Sequence, residues 1–144
     1  MKVDIFKVKN KKDEKAMIYT TSLTDEVRDA ASLLENQSKS IAVMDGEETY
    51  LCPLNKIYYI EAVDKRIFLY TKDGCYEVRK RLYELEEILS ADFFRCSKSM
   101  IIHMRKISSV KADFNGRMRA SLLNGEEILI SRGYVKNLKE KLGL

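Results

Sequence analysis

Between residues 41 and 131 the chain is a succession of short apolar runs separated by turn signals. The runs are rich in β-branched and aromatic residues, as in IYYIEAV (57–63) and RIFLYT (66–71). Glycine-containing turn signals stand at Asp45-Gly46, Lys72-Asp73-Gly74, Asn115-Gly116 and Asn124-Gly125. This spacing predicts a mostly antiparallel sheet or pair of sheets. We expect positive φ in the turn that ends at Gly74, and a type I′ turn at Asn124-Gly125.

Two short helices are predicted to flank the sheets, because their apolar residues recur at helical spacing. The inward residues of the first, in RLYELEEIL (81–89), are Leu82, Leu85, Ile88 and Leu89. Those of the second, in YVKNLKEKL (134–142), are Tyr134, Val135, Leu138 and Leu142. The expected fold class is therefore β-rich α+β, with antiparallel sheets and short flanking helices.

Residues 1–45 form a separate part in this interpretation. MKVDIF (1–6) and KAMIYTT (15–21) have the character of strands, joined by a polar connection. Thr24 is a candidate N-cap for a helix over 25–36, whose apolar face is Val27, Ala30, Ala31 and Leu34. We expect a small strand-strand-helix unit over 1–45, which packs on the domain of residues 46–144 or on a partner.

Length and composition indicate one full domain with a small appendage. The chain has 144 residues, of which 45% are hydrophobic and 33% charged. No apolar run reaches the roughly 18 residues of a membrane span, and the first residues carry too many charges for a signal peptide, so we expect a cytoplasmic protein. Cys52, Cys75 and Cys96 lack paired spacing, and the chain has 1 histidine, so neither disulfides nor a metal site nor another cofactor is expected.

Positive charge is concentrated in the larger part. Residues 1–45 hold eight basic and eight acidic residues, and residues 46–144 hold the other 18 and 14. A basic excess favours an anionic polymer as partner, although an excess this small is also common on ordinary solvated surfaces.

One stretch, FFRCSKSMIIHMRKI (93–107), sets polar residues between two apolar runs. Burial of the flanking apolar side chains, at about 1.5 to 3 kcal/mol each, would hold the residues between them in a fixed shape. Ser97, Lys98 and Ser99 would then be presented on a rigid turn, which suits contact with phosphate oxygens and a base edge. The alternative is a solvated polar turn.

This stretch resembles the LytTR family of bacterial DNA-binding domains. Supporting pieces follow in the family's order: KIYYIEAVDKRIFLYTKDG, VRKRLYELEEIL and NGEEILISRGYVKNLKEKL. Together they cover essentially residues 46–144. The resemblance implies a fold of ten strands in elongated sheets, whose loops enter successive major grooves of duplex DNA. It therefore implies a sequence-specific transcriptional regulator that is not an enzyme.

The resemblance also assigns roles to residues in three loops. It implies base reading by Arg66 beside Asp64 and Lys65, by Lys98, and by Arg132 between Ser131 and Gly133. We expect contacts to the DNA backbone from Lys65, Arg79, Lys80, Arg81, Arg95, Ser97, Ser99 and Ser131. For residues 79–81, a solvated basic hinge is an equal alternative.

Three departures from the family pattern stand out. Ser97 replaces a more usual histidine, and His103 replaces a more usual asparagine; we expect His103 to brace its loop, with a core-edge histidine as the alternative. No receiver domain is expected in 45 residues. Resemblance to stand-alone members implies binding as a homodimer on adjacent repeats, and control by abundance, dimerisation or an inhibitory membrane protein.

Two other classes of function compete with DNA reading. Cys96 and His103 could form a nucleophile and base, but Cys96 beside Phe93 and Phe94 is expected to be buried. An RNA-binding or protein-interaction module is the other alternative, because the alternating aromatics of IYYIEAV and RIFLYT would suit base stacking if they faced solvent.

Overall fold

A computed structural model describes residues 1–36 and 39–144 of the protein. Three α-helices are present in this part: α1 (Asp25–Asn36), α2 (Leu82–Ile88) and α3 (Arg132–Leu142). The first five strands are β1 (Ser40–Asp45), β2 (Glu48–Pro53), β3 (Tyr59–Val63), β4 (Arg66–Tyr70) and β5 (Cys75–Val78). The other five are β6 (Phe93–Ser97), β7 (Met100–His103), β8 (Ile107–Ala112), β9 (Met118–Leu122) and β10 (Glu127–Ile130).

The strands form two antiparallel sheets, which confirms the predicted β-rich fold. The larger sheet has seven strands in the order β2-β1-β5-β4-β3-β7-β6, and the smaller has three in the order β10-β9-β8. Successive strands are mostly joined by tight hairpins. The short apolar runs therefore pair locally, as their spacing predicts.

Apolar side chains form two cores, one between α2 and the larger sheet and one among α3 and the two sheets. In the first, Leu82 and Leu85 of α2 pack against the larger sheet, for example against Leu69. In the second, Leu138 of α3 packs with residues of both sheets, including Ile102. These side chains are almost completely buried, so each stabilises the fold by about 1.5 to 3 kcal/mol. The second core fixes the smaller sheet and α3 against the end of the larger sheet.

Helix positions agree with the sequence in outline and differ at the ends. α3 begins at Arg132, two residues before the predicted start. Ile88 is exposed, although Leu82, Leu85 and Leu89 of the predicted stripe are buried. Among residues 1–36 and 39–144, no helix combines the length and apolar composition that crossing a bilayer would require.

Two turn predictions are wrong in detail. The β4–β5 hairpin exists, with Thr71 N–H donating to the Gly74 carbonyl at 2.9 Å, but Gly74 does not have positive φ. At Asn124-Gly125 only Gly125 has positive φ, at 87°, and Gly125 N–H donates to the Leu122 carbonyl. The loop is thus three residues long, a turn followed by a left-handed glycine, and not a two-residue type I′ turn.

The prediction of two N-terminal strands is also wrong. Residues 1–6 and 15–21 do not form strands, because they pair with no other strand among the described residues. Helix α1 is confirmed, and Thr24 Oγ1 accepts from Val27 N–H at 3.4 Å, but Leu34 of its predicted inward face is exposed. The larger sheet already begins at Ser40, so β1 pairs with β2 across the predicted boundary at residue 45.

Candidate nucleic-acid interface

The predicted DNA-contacting segments emerge at one end of the larger sheet, because antiparallel neighbours start where the preceding strand stops. Val63 at the end of β3 pairs with Arg66 at the start of β4. Glu61 pairs with Met100 at the start of β7, which places the β6–β7 turn at the same end. Val78 at the end of β5 pairs with Ile67, so residues 79–81 also leave the sheet there.

Two main-chain hydrogen bonds connect the three predicted reading segments. Ala62 N–H, just before the β3–β4 turn, donates to the Ser99 carbonyl at 2.7 Å. Ser131 N–H, just before α3, donates to the Cys96 carbonyl at 2.9 Å, where a register shift interrupts the β6–β7 pairing. The structure therefore brings Arg66, Lys98 and Arg132 to one edge of the molecule, and all three are exposed.

The β3–β4 turn has an unusual backbone for its sequence. Asp64 and Lys65 both have positive φ, at 51° and 65°. Two such residues between paired strands are the pattern of a type I′ turn, in which asparagine and glycine are preferred. Aspartate tolerates this conformation, but a lysine there is uncommon. The turn projects the exposed Lys65 beyond the sheet end.

The Arg66 side chain is held by Glu77, an acidic residue on the neighbouring strand β5. Its Nε donates to Glu77 Oε1 at 3.0 Å and its Nη2 to Glu77 Oε2 at 2.7 Å. The guanidinium also lies 5.2 Å from the centroid of the Phe68 ring. These hydrogen bonds lower the pKa of Glu77 and raise that of Arg66. The predicted base reader is thus orientated across the sheet by a carboxylate, a contact that the sequence did not reveal.

Arg95 braces the β6–β7 turn from within the protein. Its Nε donates to the Ser97 carbonyl at 2.9 Å, and its Nη2 donates to the Lys98 carbonyl. Its Nη1 donates to Glu86 Oε2 of α2 at 3.1 Å. The predicted contact of Arg95 with the DNA backbone is not supported, because its guanidinium already binds two carbonyls and a carboxylate. The bracing leaves the Lys98 side chain exposed at the tip.

The two serines of this turn bond to each other. Ser97 Oγ lies 3.4 Å from Ser99 Oγ and accepts from Ser99 N–H at 3.2 Å. Hydroxyl groups in such a turn can reorient toward a phosphate oxygen with little change in the main chain. The turn is therefore both preformed and able to donate.

The sequence analysis places Arg132 in a loop, but in the structure Arg132 lies in the first turn of α3. Ser131 is the N-cap residue, without a side-chain cap hydrogen bond. The first amides of a helix and its dipole favour an anion at this position. The stem of Arg132 packs on the adjacent turn, since a Cβ on Gly116 would lie 2.9 Å from Arg132 Cδ. Its guanidinium thus projects from a fixed base.

The turn between β8 and β9 is a part of this edge that sequence reasoning missed. Met118 pairs with both Ala112 and Ile130, so residues 113–117 lie beside the end of β10. Asn115, Arg117 and Arg132 line one open groove there. Arg117 is exposed, and Phe114 is 84% exposed. The only sequence signal for this part of the edge is Asn115-Gly116, which predicts a turn and nothing more.

Residues 79–81 are exposed between β5 and α2. Arg81 N–H donates to Glu84 Oε1 at 3.2 Å, which fixes the start of the helix. Arg79 adds to the lowering of the pKa of Glu77, so its charge lies near the Arg66 pair. β1 runs antiparallel to β5 with Met44 opposite Glu77, so the acidic β1–β2 turn points toward the opposite end of the larger sheet. We call the end that carries the exposed residues Lys65, Arg66, Arg79, Lys80, Lys98, Arg117 and Arg132 the cationic edge.

His103 and Cys96 are both buried away from this edge. His103 Nδ1 lies 2.7 Å from the Ile57 carbonyl, and its ring stacks on Phe93 with centroids 4.4 Å apart. Burial lowers the pKa of His103, and it raises the pKa of the Cys96 thiol to about 12. A thiol this basic is a poor nucleophile at neutral pH. Within residues 1–36 and 39–144, no cluster of side chains could hold a metal ion.

Comparisons with known proteins point to one family. A model described as the LytTr DNA-binding domain matches residues 47–143. A solved LytTr DNA-binding domain from Bacillus cereus superimposes with a TM-score of 0.71 at 25% identity, covering 74% of this chain and 99% of that one. The sensory transduction protein LytT of Enterococcus faecalis is 29% identical over 109 residues, which are 75% of this chain but 45% of LytT.

Relatives of the same length occur in Staphylococcus aureus. One is 25% identical over 146 residues, covering all of this chain and 99% of the relative, and is described as an uncharacterized HTH-type transcriptional regulator. A helix-turn-helix requires two helices joined by a short turn. In the part of the chain described by the structure, α1, α2 and α3 are separated from each other by strands. The cationic edge is made of turns and one helix start instead.

Proposed function

The chain belongs to the LytTR family of DNA-binding domains, and we propose that it regulates transcription by inserting the cationic edge of its sheets into the major grooves of duplex DNA. The observation that carries the proposal is the pair of hydrogen bonds that tie the three exposed tips together, from Ala62 to Ser99 and from Ser131 to Cys96. Tips fixed to one frame can contact one rigid ligand at the same time.

We assign base reading to Lys98, Arg132 and Arg66. Arginine and lysine donate to the O6 and N7 acceptors of guanine, and each good pair discriminates by about 1 to 3 kcal/mol. Phosphate contacts are assigned to Lys65, Ser97, Ser99, Ser131 and residues 79–81, with Arg117 added from the geometry. In this scheme Arg95 braces the β6–β7 turn and His103 braces strand β7.

Double-stranded DNA is favoured over single-stranded RNA by the placement of the aromatic residues. Tyr58, Tyr59 and Phe94 are buried in the second core, so the aromatic strands do not offer a stacking platform. Within residues 39–144 the exposed aromatic rings belong to three different elements, with Tyr83 on α2, Tyr50 on β2 and Phe114 on the β8–β9 turn. Base stacking on successive rings would need them side by side.

The setting of this activity follows from the same proposal. The target DNA places the protein in the cytoplasm. A single edge has three reading residues. Two copies bound to adjacent repeats would double the number of base contacts, as recognition of a long operator requires. An inhibitory membrane protein that sequesters the regulator is the partner we propose for its control. The cationic edge is the surface that such an inhibitor would have to cover.

Selection of bound sequences from a random duplex library tests the proposal directly. The expected result is an enriched motif that contains guanines, bound in preference to single-stranded and double-stranded RNA of the same length. Enrichment of no motif, together with equal affinity for RNA, would remove sequence-specific duplex reading as the function.

Salt dependence separates the proposed phosphate contacts from the readers. We expect the logarithm of the affinity to fall with the logarithm of salt concentration, with a slope of about 0.9 per neutralised phosphate. Lys80→Ala should weaken all duplexes similarly and reduce this slope by about 1. Fluorescence anisotropy over a series of salt concentrations measures both. An unchanged slope would assign Lys80 to the solvated hinge.

The Arg66–Glu77 pair yields a second prediction about affinity. Bound DNA must compete with Glu77 for the Arg66 guanidinium, and the remaining carboxylate then faces a polyanion. Glu77→Gln should therefore tighten binding to every duplex by about two- to fivefold, the range expected when one exposed ion pair is removed. Anisotropy titrations with selected and scrambled duplexes measure this change.

Glu86→Gln is the matched control, because it removes the same charge from the partner of Arg95. The Arg95 brace is then loosened, so binding should stay equal or weaken. If both variants tighten binding equally, the effect is one of net charge, and the Arg66–Glu77 pair has no special role.

A further inference from the structure

Residues 1–24 carry the largest feature that DNA binding leaves unexplained. Large apolar side chains there are at least half exposed: Met1, Val3, Ile5, Phe6, Val8, Met17, Tyr19 and Leu23. So many exposed apolar side chains within one short segment indicate an interaction site. The Staphylococcus aureus relative aligns over the full length, so this segment also has a counterpart there.

Residues 2–9 have the composition of a strand that is covered on both faces. Val3 and Ile5 would lie on one face of an extended segment, and Phe6 and Val8 would lie on the other face. In the structure these residues have no strand partner within the described chain. An isolated strand of this kind becomes stable when a sheet edge supplies the missing hydrogen bonds.

The larger sheet has one covered edge and one open edge. At β6 the edge is covered, since α3 packs on this strand and Ser131 N–H bonds to the Cys96 carbonyl. At the opposite edge, β1 is the only strand partner of β2 within residues 1–36 and 39–144, and Leu51 is 74% exposed beside the half-exposed Tyr50. An open edge with exposed apolar side chains is a template for a further strand.

Charge selects β2 as the site of addition. Residues 2–12 contain five lysines and one aspartate. The β1–β2 turn presents Asp45, Glu47 and Glu48 to solvent beside the open edge. The open edge of the smaller sheet, β8, instead presents exposed Ser108, Ser109 and Lys111, which offer no attraction to a basic segment.

We propose that residues 2–9 of one copy add as a strand to the β2 edge of a second copy, and that the second copy does the same in return. Each chain then supplies one segment and one edge, so a two-fold dimer closes with both edges covered. The apolar faces of the segment would cover Leu51 and extend the first core beyond Cys52. This dimer does not depend on the proposed function, because it forms without DNA.

Sedimentation equilibrium without DNA tests the dimer. The wild-type chain should dimerise at micromolar concentration. Ile5→Asp and Leu51→Asp should each weaken self-association by at least about tenfold, since each puts a charge into a buried strand junction. Both side chains are exposed in the single chain, so the variants should keep the circular dichroism spectrum of the wild type. Leu123→Asp, an exposed residue in the β9–β10 turn, is the control and should dimerise normally.

Mixing the two defective variants tests the exchange itself. Ile5→Asp keeps an intact edge and Leu51→Asp keeps an intact segment, so the mixture should form a heterodimer at concentrations at which each variant alone is mostly monomeric. A dimer that Leu51→Asp leaves intact would mean that segments pair with each other, and would overturn the assignment of the β2 edge. A wild-type chain that stays monomeric to about 100 μM would overturn the dimer as a whole.

Discussion

Arg132→Ala is expected to remove a base preference from the selected motif and to leave the other positions unchanged. Its stem packs on the turn at Gly116 at the start of α3, and its guanidinium is exposed there and can donate two parallel hydrogen bonds to guanine. Loss of this pair should lower discrimination at one base position by about 1 to 3 kcal/mol. Motif selection with the variant, followed by anisotropy titrations on single-base substitutions of the motif, measures the change.

Arg117→Ala is the matched control for this prediction. Arg117 lies in the same groove, has the same charge and is also exposed, but we assign it to phosphate. It should weaken every duplex by a similar factor and leave the motif intact. Lys98→Ala should relax a different position from Arg132→Ala. If Arg132→Ala and Arg117→Ala have the same effect on all duplexes, Arg132 is a phosphate contact and the assignment of readers is wrong.

The strands and the common edge could be predicted because they depend on local pairing. Hairpin turns bring the start of one strand to the end of the strand before it, so Lys65 and Lys98 had to emerge near each other once β3 and β7 were neighbours. The position of Arg132 depends on a long-range contact, between Ser131 and the bulged Cys96. No periodicity in the sequence encodes that contact, and only the family resemblance indicated it.

The partners of the charged side chains at the site could not be predicted from the sequence, for a related reason. Arg66 and Glu77 are eleven residues apart and meet because β4 and β5 pair in one particular register. Arg95 donates to the carbonyls of its own turn at the point where the β6–β7 register shifts. A side chain's charge can be read from composition, but its partner depends on register and bulges. The sequence therefore could not show that the Arg95 guanidinium braces its own turn.

The N-terminal strands illustrate the opposite error. KVDIFKVK has the alternation of a strand, yet strand propensity is an expression of packing against neighbours and not of the backbone alone. Within the described chain residues 1–6 have no such neighbour. The pattern therefore indicates where a strand would form when an edge is supplied, which is the basis of the proposed exchange.

Acidification from pH 7.5 to 5.5 is expected to destabilise the protein through His103. Its imidazole is 1% exposed, and burial lowers its pKa below the usual value near 6.5. The unfolded chain therefore binds a proton at a pH at which the folded chain does not. The contribution of neutral His103 to the free energy of unfolding is fully present above about pH 6.5 and decreases as the pH falls below that value. The limiting slope is about 1.4 kcal/mol per pH unit. Urea unfolding followed by circular dichroism at several pH values measures it.

His103→Asn separates this effect from other titrations, because the chain has 1 histidine and no other side chain with an ordinary pKa in this window. An amide can still donate to the Ile57 carbonyl but does not titrate, so stability should become nearly constant between pH 5.5 and 7.5. His103→Ala should lose about 2 to 4 kcal/mol at pH 7.5, since it removes the ring stacked on Phe93 and leaves a buried carbonyl without its donor. Equal pH slopes for His103→Asn and the wild type would show that His103 is not the titrating group, and would leave its bracing role to be judged from the alanine variant alone.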